Sequence, residues 1–165
     1  MNQVNEFGQR IKAIADEVGD LSTTAEVLFN SKAFLEIYEA PDAYADAAVL
    51  LYADPARPVL QKQIVGYAMQ RLPLDPFVRL VTAVADLVAA EKLPARLLDS
   101  LAFPAFNWGA QLALAYDRPA VNALLTRLAN TPQLSDQRRA LIRHEVLTGK
   151  TREDVLTLKE AGQIP

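Results

Sequence analysis

The sequence predicts an all-α fold, a compact array of short antiparallel helices that forms helical hairpins or an irregular bundle. Apolar residues recur at intervals of three and four along almost the whole chain. No stretch alternates polar and apolar residues for long enough to predict a strand. The breaks between the apolar stripes are only a few residues long, so successive helices are expected to be antiparallel neighbours.

The apolar stripes set the expected bounds of each helix. The strongest stripe runs from Phe77 to Val88 and predicts one continuous buried helix face. Helices are expected at residues 3–18, 23–39, 42–53, 56–72, 76–91, 94–102, 105–116, 119–130, 135–148 and 152–161, with a break near Asn30 left open in the second.

An acid followed closely by proline marks three of the breaks, at Asp54-Pro55, Asp75-Pro76 and Asp117-Arg118-Pro119. An aspartate side chain accepts hydrogen bonds from the first N–H groups of a helix, and proline has no N–H to leave unsatisfied there. We therefore interpret these pairs as helix starts. Ser135 and Thr151 are expected to cap two further helices.

Composition limits the domain count and the classes of function. The chain has 165 residues, of which 51% are hydrophobic, and this predicts a single all-helical domain over residues 1–165. The formal net charge of -3 lacks the strong positive field of a nucleic-acid-binding protein. Since the chain has no cysteine, disulfides, thiolate catalysis and cysteine-ligated metal centres are excluded.

The sequence contains no signal peptide and no apolar run long enough to span a membrane. We expect a cytoplasmic protein as the sequence is written, and a periplasmic one if a signal peptide has been removed. Charge is unevenly spread, because residues 1–56 hold ten acids and three bases while residues 57–165 hold ten acids and fourteen bases. This polarity favours oriented docking onto a charged partner, although solvated faces of unequal sign explain it equally well.

The stretch RHEVLTGKTRED, residues 143–154, contains fragments of two well-known motifs. A phosphate-binding loop needs a glycine where His144 stands, and it follows a strand rather than a helix. A zinc-binding helix needs a second histidine where Thr148 stands, and the chain has only one histidine. We interpret Gly149 as the stop of one helix and Thr151 as the cap of the next, and we expect no catalytic, cofactor or metal site here.

Four carboxylates, Glu36, Glu39, Asp42 and Asp46, cluster around one predicted helix junction. They could hold a cation or perform acid-base chemistry. Their spacing equally suits solvated helix ends, with Asp42 favoured by the helix dipole. We treat them as candidate partner-binding residues and expect no bound cofactor.

A basic stretch surrounds the end of the helix predicted at 135–148, and its members are Arg138, Arg139, Arg143, Lys150 and Arg152. Such a patch could contact an acidic partner, and Arg139 and Arg143 are the candidates for this role. Nucleic acid is not the expected partner, because aromatic residues are not interleaved with the cations and the net charge is negative.

FPAFNWGAQ, residues 103–111, is the most unusual segment, because it carries the chain's only tryptophan in a stretch where a helix start is hard to assign. Trp108, Phe106 and Asn107 are candidate partner-binding residues, since large aromatic side chains are favoured at interfaces. The alternative, that Trp108 is a core anchor, stays open.

LLYADPARPVLQKQIVGYAMQRLP, residues 50–73, resembles a HEAT-type repeat: the end of one helix, an Asp-Pro turn and a second helix. Residues 112–132 have the same layout, with Tyr116, Asp117 and Pro119 in the positions of Tyr52, Asp54 and Pro55. The offset does not fit a regular HEAT period, so a stack of degenerate hairpins fits better than a solenoid.

In size, helicity and charge polarity the chain also resembles the small all-helical immunity proteins that bacteria use to block secreted toxins, such as those paired with type VI amidase effectors. The resemblance implies a non-catalytic protein-binding module that blocks an effector enzyme, acting as a monomer or a homo-oligomer. The alternative is an enzyme or ligand carrier with an inter-helical site built on the four carboxylates and a tyrosine such as Tyr38 or Tyr44.

Overall fold

The structure is a computed structural model, and it describes residues 6, 38–103 and 110–163. Within these residues every element of regular secondary structure is helical, which confirms the predicted all-α class. The elements are α1 Pro41–Ala53, α2 Val59–Met69, α3 Leu74–Ala89, α4 Ala95–Ala102, α5 Ala110–Leu114, α6 Pro119–Ala129, α7 Asp136–Leu141, a π-helical turn Ile142–Val146, and α8 Lys150–Glu160.

Six of the predicted helices agree with α1 to α4, α6 and α8, with bounds that differ by three residues at most. Nearly all residues of the helices predicted at 3–18 and 23–39 lie outside the described residues. The helix predicted at 135–148 is a shorter α-helix followed by a π-helical turn, in which the Leu147 N–H donates to the Ile142 carbonyl at 2.9 Å. None of the described helices has the length and apolar composition that a membrane span requires.

The chain divides into two compact units, Met1–Val84 and Ala85–Pro165. In the first unit α1 and α2 pack against each other as a hairpin, and the fully buried side chains include Tyr52, Ile64, Met69 and Phe77. In the second unit α8 packs on α5 and on the π-helical turn, over a core formed mainly by leucines of α4, α5 and α6. The single domain expected from chain length stays a prediction.

Two of the predicted helix starts are confirmed, together with one cap. Asp75 and Pro76 lie in the first turn of α3, and Pro119 is the first residue of α6. The Ser135 hydroxyl caps α7 by accepting from the Arg138 N–H at 3.1 Å. These positions follow the local chemistry of a helix N-terminus, where proline costs no hydrogen bond and a hydroxyl satisfies an open N–H group.

Three cap predictions are wrong. Asp54 ends α1, and its carboxylate accepts from the Ala56 N–H at 2.9 Å, so the Asp-Pro pair forms a turn and α2 begins only at Val59. Asp117 does not cap α6, whose N-cap residue is Arg118 and has no side-chain hydrogen bond. Thr151 does not cap α8, because that helix already begins at Lys150 with Gly149 as its N-cap.

The C-terminus of α3 is closed by a non-glycine residue in the left-handed region. Glu91 has a φ of 58°, and the Lys92 N–H donates to the Leu87 carbonyl at 2.9 Å. This backbone hydrogen bond is typical of the Schellman motif, which normally has glycine at the left-handed position. The chain therefore carries local backbone strain at Glu91.

Candidate docking surface on the first unit

Several exposed side chains lie on the outer side of α1 and just before its first residue. Asp42, Asp46 and Leu50 are exposed and four residues apart on α1. Tyr38 is also exposed and precedes them across Ala40, whose backbone is non-helical; we name these four residues the α1 face. Leu50 is 57% exposed and Tyr38 is 52% exposed, the highest values among the large apolar side chains of the described residues.

The composition of α1 explains why a leucine lies on its outer side. The buried side of the helix is rich in alanine, with Ala45 and Ala48 almost completely buried beside Leu51 and Tyr52. Small side chains allow the helix to approach its neighbours closely and need little space in the core. Leu50 lies outside this buried side, so folding of the described chain leaves most of its apolar surface in water.

Arg79 of α3 joins the two aspartates of the α1 face. Its Nη2 lies 2.7 Å from Asp42 Oδ1, and its Nη1 lies 3.2 Å from Asp46 Oδ1. The aspartate side chains are 78% and 68% exposed, so solvent screens these pairs and they contribute little to stability. One guanidinium thus lies within hydrogen-bonding distance of both carboxylates and engages one oxygen of each.

Tyr38, at the start of the α1 face, also has a cationic neighbour. The Arg71 Nη1 donates to the Tyr38 hydroxyl at 3.2 Å. The α1 face thus combines an aromatic ring, two carboxylates and a leucine with two arginines that reach it from outside α1. Tyrosine and arginine are enriched in the hot spots of protein interfaces.

The structure brings part of the predicted carboxylate cluster together on this surface. Asp42 and Asp46 share Arg79, Glu39 is exposed, and Glu36 lies outside the described residues. Arg79 was not found by sequence reasoning, because it lies 37 residues from Asp42 along the chain. Leu50 could have been identified from the sequence, because it follows Asp46 by one helical turn and therefore lies on the same side of the predicted helix.

The carboxylates do not line the cleft that the described residues form in the second unit. That cleft, of about 420 Å³, belongs to the second unit and is open to solvent between the end of α3 and the loop after α6, beside Glu91, Lys92, Pro94 and Gln133. In the described part of the chain, no three residues of the metal-ligating types lie close enough together to hold an ion.

The arginines of the basic stretch contact other parts of the second unit. Arg138 Nε lies 2.5 Å from Asp99 Oδ1, and its guanidinium lies 5.0 Å from the centre of the Phe103 ring. Arg139 pairs with Asp136 one turn earlier on α7.

Arg143, on the π-helical turn, donates to the Ala129 carbonyl at 2.7 Å, a carbonyl that the end of α6 leaves open. Thus Arg138, Arg139 and Arg143 each have a structural contact, and the partner-binding role of Arg139 and Arg143 stays a prediction.

The backbone and the surroundings of Gly149 explain why the segment RHEVLTGKTRED contains a glycine. Gly149 has a φ of 76°, and the side chain of Tyr116 covers it so closely that an added Cβ would lie 2.7 Å from the hydroxyl oxygen. His144 is exposed on the π-helical turn, and its carbonyl accepts from the Thr148 hydroxyl at 2.8 Å. A left-handed backbone and a close neighbour both require glycine here, independently of phosphate binding.

The aromatic candidates Trp108 and Phe106, and Asn107 between them, lie outside the described residues. Phe103, just before them, is buried. Comparison with protein-family models, with curated proteins and with solved structures found no significant match.

Proposed function

We propose that the chain is a non-catalytic protein-binding module and that its partner docks on the α1 face. The observation that supports this most directly is the group formed by Tyr38, Asp42, Asp46 and Leu50, in which two large apolar side chains stay more than half exposed. Single exposed apolar residues are ordinary on protein surfaces. Here they flank two carboxylates that pair with Arg79, and charged groups beside apolar side chains can orient a partner.

The exposure of the carboxylates favours this proposal over the enzyme or ligand-carrier alternative. Acid-base chemistry generally takes place in a concave site that shields the reacting groups from bulk water. Glu39, Asp42 and Asp46 are all exposed, and two of them are neutralised in part by a guanidinium. Such groups are better placed to orient a partner than to catalyse a reaction.

Within the class of binding modules, we propose an immunity or inhibitor protein that blocks a toxin or effector enzyme. The chain's small size, helical composition and uneven charge support this, together with the resemblance to immunity proteins. An inhibitor of this kind covers an enzyme's cleft with one face, and charges on that face raise the rate of encounter with a cleft of opposite sign.

Affinity purification of the tagged full-length chain from its native organism tests the proposed function. We expect one protein to co-purify in a stoichiometric amount and to lose its own enzymatic activity when an equimolar amount of the purified chain is added. Recovery of the bait alone, with tight binding of a small molecule in a ligand screen, would contradict the proposal and favour the alternative.

A further inference from the structure

We infer that the cleft of the second unit binds a free α-amino acid with an aliphatic side chain, whose ammonium group pairs with Glu91 and whose carboxylate pairs with Lys92. The cleft lies between the end of α3 and the loop after α6, and its volume of about 420 Å³ suits a small ligand. This site uses none of the residues of the α1 face, so the inference does not depend on the proposed function.

Three polar side chains line the cleft without a partner. Glu91, Lys92 and Gln133 are exposed, and among the described residues none of their side chains forms a hydrogen bond or an ion pair. A carboxylate, an ammonium group and an amide can each satisfy a different polar group of one ligand. Because Glu91 and Lys92 do not pair with each other, one ligand that carries both charges can engage both side chains.

The cleft also has an apolar wall. Val88 and Leu93 line it with side chains that are almost completely buried in the second unit, and Pro94 lies beside them. An aliphatic side chain of the ligand can leave water against this wall. Its charged groups can at the same time contact the exposed ends of Glu91 and Lys92. The combination of an apolar wall with two opposite charges therefore favours an amino acid such as leucine.

The start of α4 shows which charge of the ligand suits which part of the cleft. Pro94, the N-cap residue of α4, makes no side-chain hydrogen bond to the helix, and the Ala95 N–H has no partner within the described part of the chain. Ala95 itself lines the cleft. Open N–H groups and the helix dipole favour an anion. The ligand carboxylate is therefore assigned to Lys92 and the start of α4, and the ligand ammonium group to Glu91.

The backbone at Glu91 supports a binding role for its side chain. Glu91 has a φ of 58° at the end of a helix, a position where glycine is common because it has no Cβ. A glutamate there costs stability, and in the described structure no hydrogen bond or ion pair of its carboxylate offsets that cost. Strained residues cluster at ligand-binding sites. A contact between the Glu91 carboxylate and a ligand explains why glutamate rather than glycine stands at this position.

Titration of the isotope-labelled, full-length chain with L-leucine, followed by nuclear magnetic resonance, tests this inference. Two analogues serve as matched probes, because isocaproate lacks the ammonium group of leucine and isoamylamine lacks its carboxylate. We expect L-leucine to cause saturable shifts in the amide signals of Lys92 and Gln133. Each analogue should bind at least about tenfold more weakly, since each loses a charge-assisted hydrogen bond.

Substitutions in the cleft should separate binding from stability. Glu91→Gln and Lys92→Met should each weaken L-leucine binding at least about tenfold, whereas Glu160→Gln and Lys159→Met, which remove the same charges from exposed positions on α8, should leave it unchanged. Glu91→Gly should weaken binding and yet raise the free energy of unfolding, because it removes the carboxylate together with the backbone strain.

Four results would overturn the inference. The first is the absence of a saturable shift at Lys92 and Gln133, and the second is equal affinity for L-leucine and either analogue. The third is wild-type affinity in any of the cleft variants, or an equal loss in the control variants. The fourth is tighter binding of acetyl-leucine amide than of L-leucine, since this uncharged probe resembles a peptide and would identify the cleft as a peptide groove.

Discussion

Replacement of Gly149 by alanine tests the contact between the α8 N-terminus and Tyr116. Gly149 has a φ of 76°, a conformation that costs a residue with a Cβ about 1–2 kcal/mol. The new Cβ would also lie 2.7 Å from the Tyr116 hydroxyl oxygen and 2.8 Å from Cζ, well inside van der Waals contact. Because overpacking of this kind costs about 1–3 kcal/mol, we expect Gly149→Ala to lower the free energy of unfolding by about 2–5 kcal/mol in total.

A double-mutant cycle separates the two contributions. In a Tyr116→Ala background the steric contribution disappears, so Gly149→Ala should cost only about 1–2 kcal/mol, and the coupling energy should be about 1–3 kcal/mol. Gly162 is the matched control, since it has a φ of 72° but no atom within 4 Å of an added Cβ. Gly162→Ala should therefore show the backbone cost alone.

Urea denaturation provides the measurement, followed by far-UV circular dichroism and by the fluorescence of Trp108, which belongs by sequence to the second unit. The steric contact between residue 149 and Tyr116 is refuted if Gly149→Ala costs no more stability than Gly162→Ala, or if its coupling energy with Tyr116→Ala is zero.

Three further predictions concern local features of the structure, and the same denaturation assay tests them. Glu91→Gly should stabilise the chain by about 1 kcal/mol because glycine relieves the positive φ, whereas Ala89→Gly on the exposed end of α3 should cost about 0.5–1 kcal/mol; equal signs would contradict the strain at Glu91. Ser135→Ala should destabilise by about 1 kcal/mol through loss of the cap on the Arg138 N–H, and Ser135→Asn should retain most of the stability; equal losses would exclude the capping role. Burial lowers the pKa of Lys62 below its ordinary 10.5, against a smaller opposing effect of Asp54. At pH values between the lowered pKa and 10.5, Lys62 is protonated in the unfolded chain but not in the folded chain. The free energy of unfolding of the wild type should therefore rise as the pH rises through that window. The Lys62→Met variant should be more stable than the wild type at neutral pH, and its free energy of unfolding should not rise through that window. If the variant keeps the rise seen in the wild type, Lys62 does not cause it.

The helices were predictable because each buried helix face appears in the sequence as a local pattern of apolar residues. Phe77, Leu80, Val81 and Val84 recur at intervals of three and four, and all four are buried. The caps were less predictable, because an aspartate beside a proline fits a helix start and a tight turn equally well. Asp54 forms the turn, whereas Asp75 lies in a helix.

The π-helical turn and the Arg79 cluster could not be read from the sequence. The apolar spacing of residues 135–148 matches an uninterrupted α-helix, and nothing in that spacing marks the π-helical turn at Ile142–Val146. Arg79 meets Asp42 and Asp46 only because α1 and α3 lie close in the folded first unit. The carboxylates were identifiable as candidates, but the residue that fixes their geometry was not.

Isothermal titration calorimetry of the purified partner with the whole chain tests whether the partner docks on the α1 face. The key variant combines Asp42→Asn, Asp46→Asn and Leu50→Ser, all at exposed positions, so the fold should be retained and circular dichroism can verify this. Leu156→Ser, on the exposed side of α8, is the control. The α1 face as docking surface predicts at least about a hundredfold weaker binding by the triple variant, equivalent to about 2.7 kcal/mol, and wild-type affinity for the control. Wild-type affinity of a folded triple variant would contradict the claim.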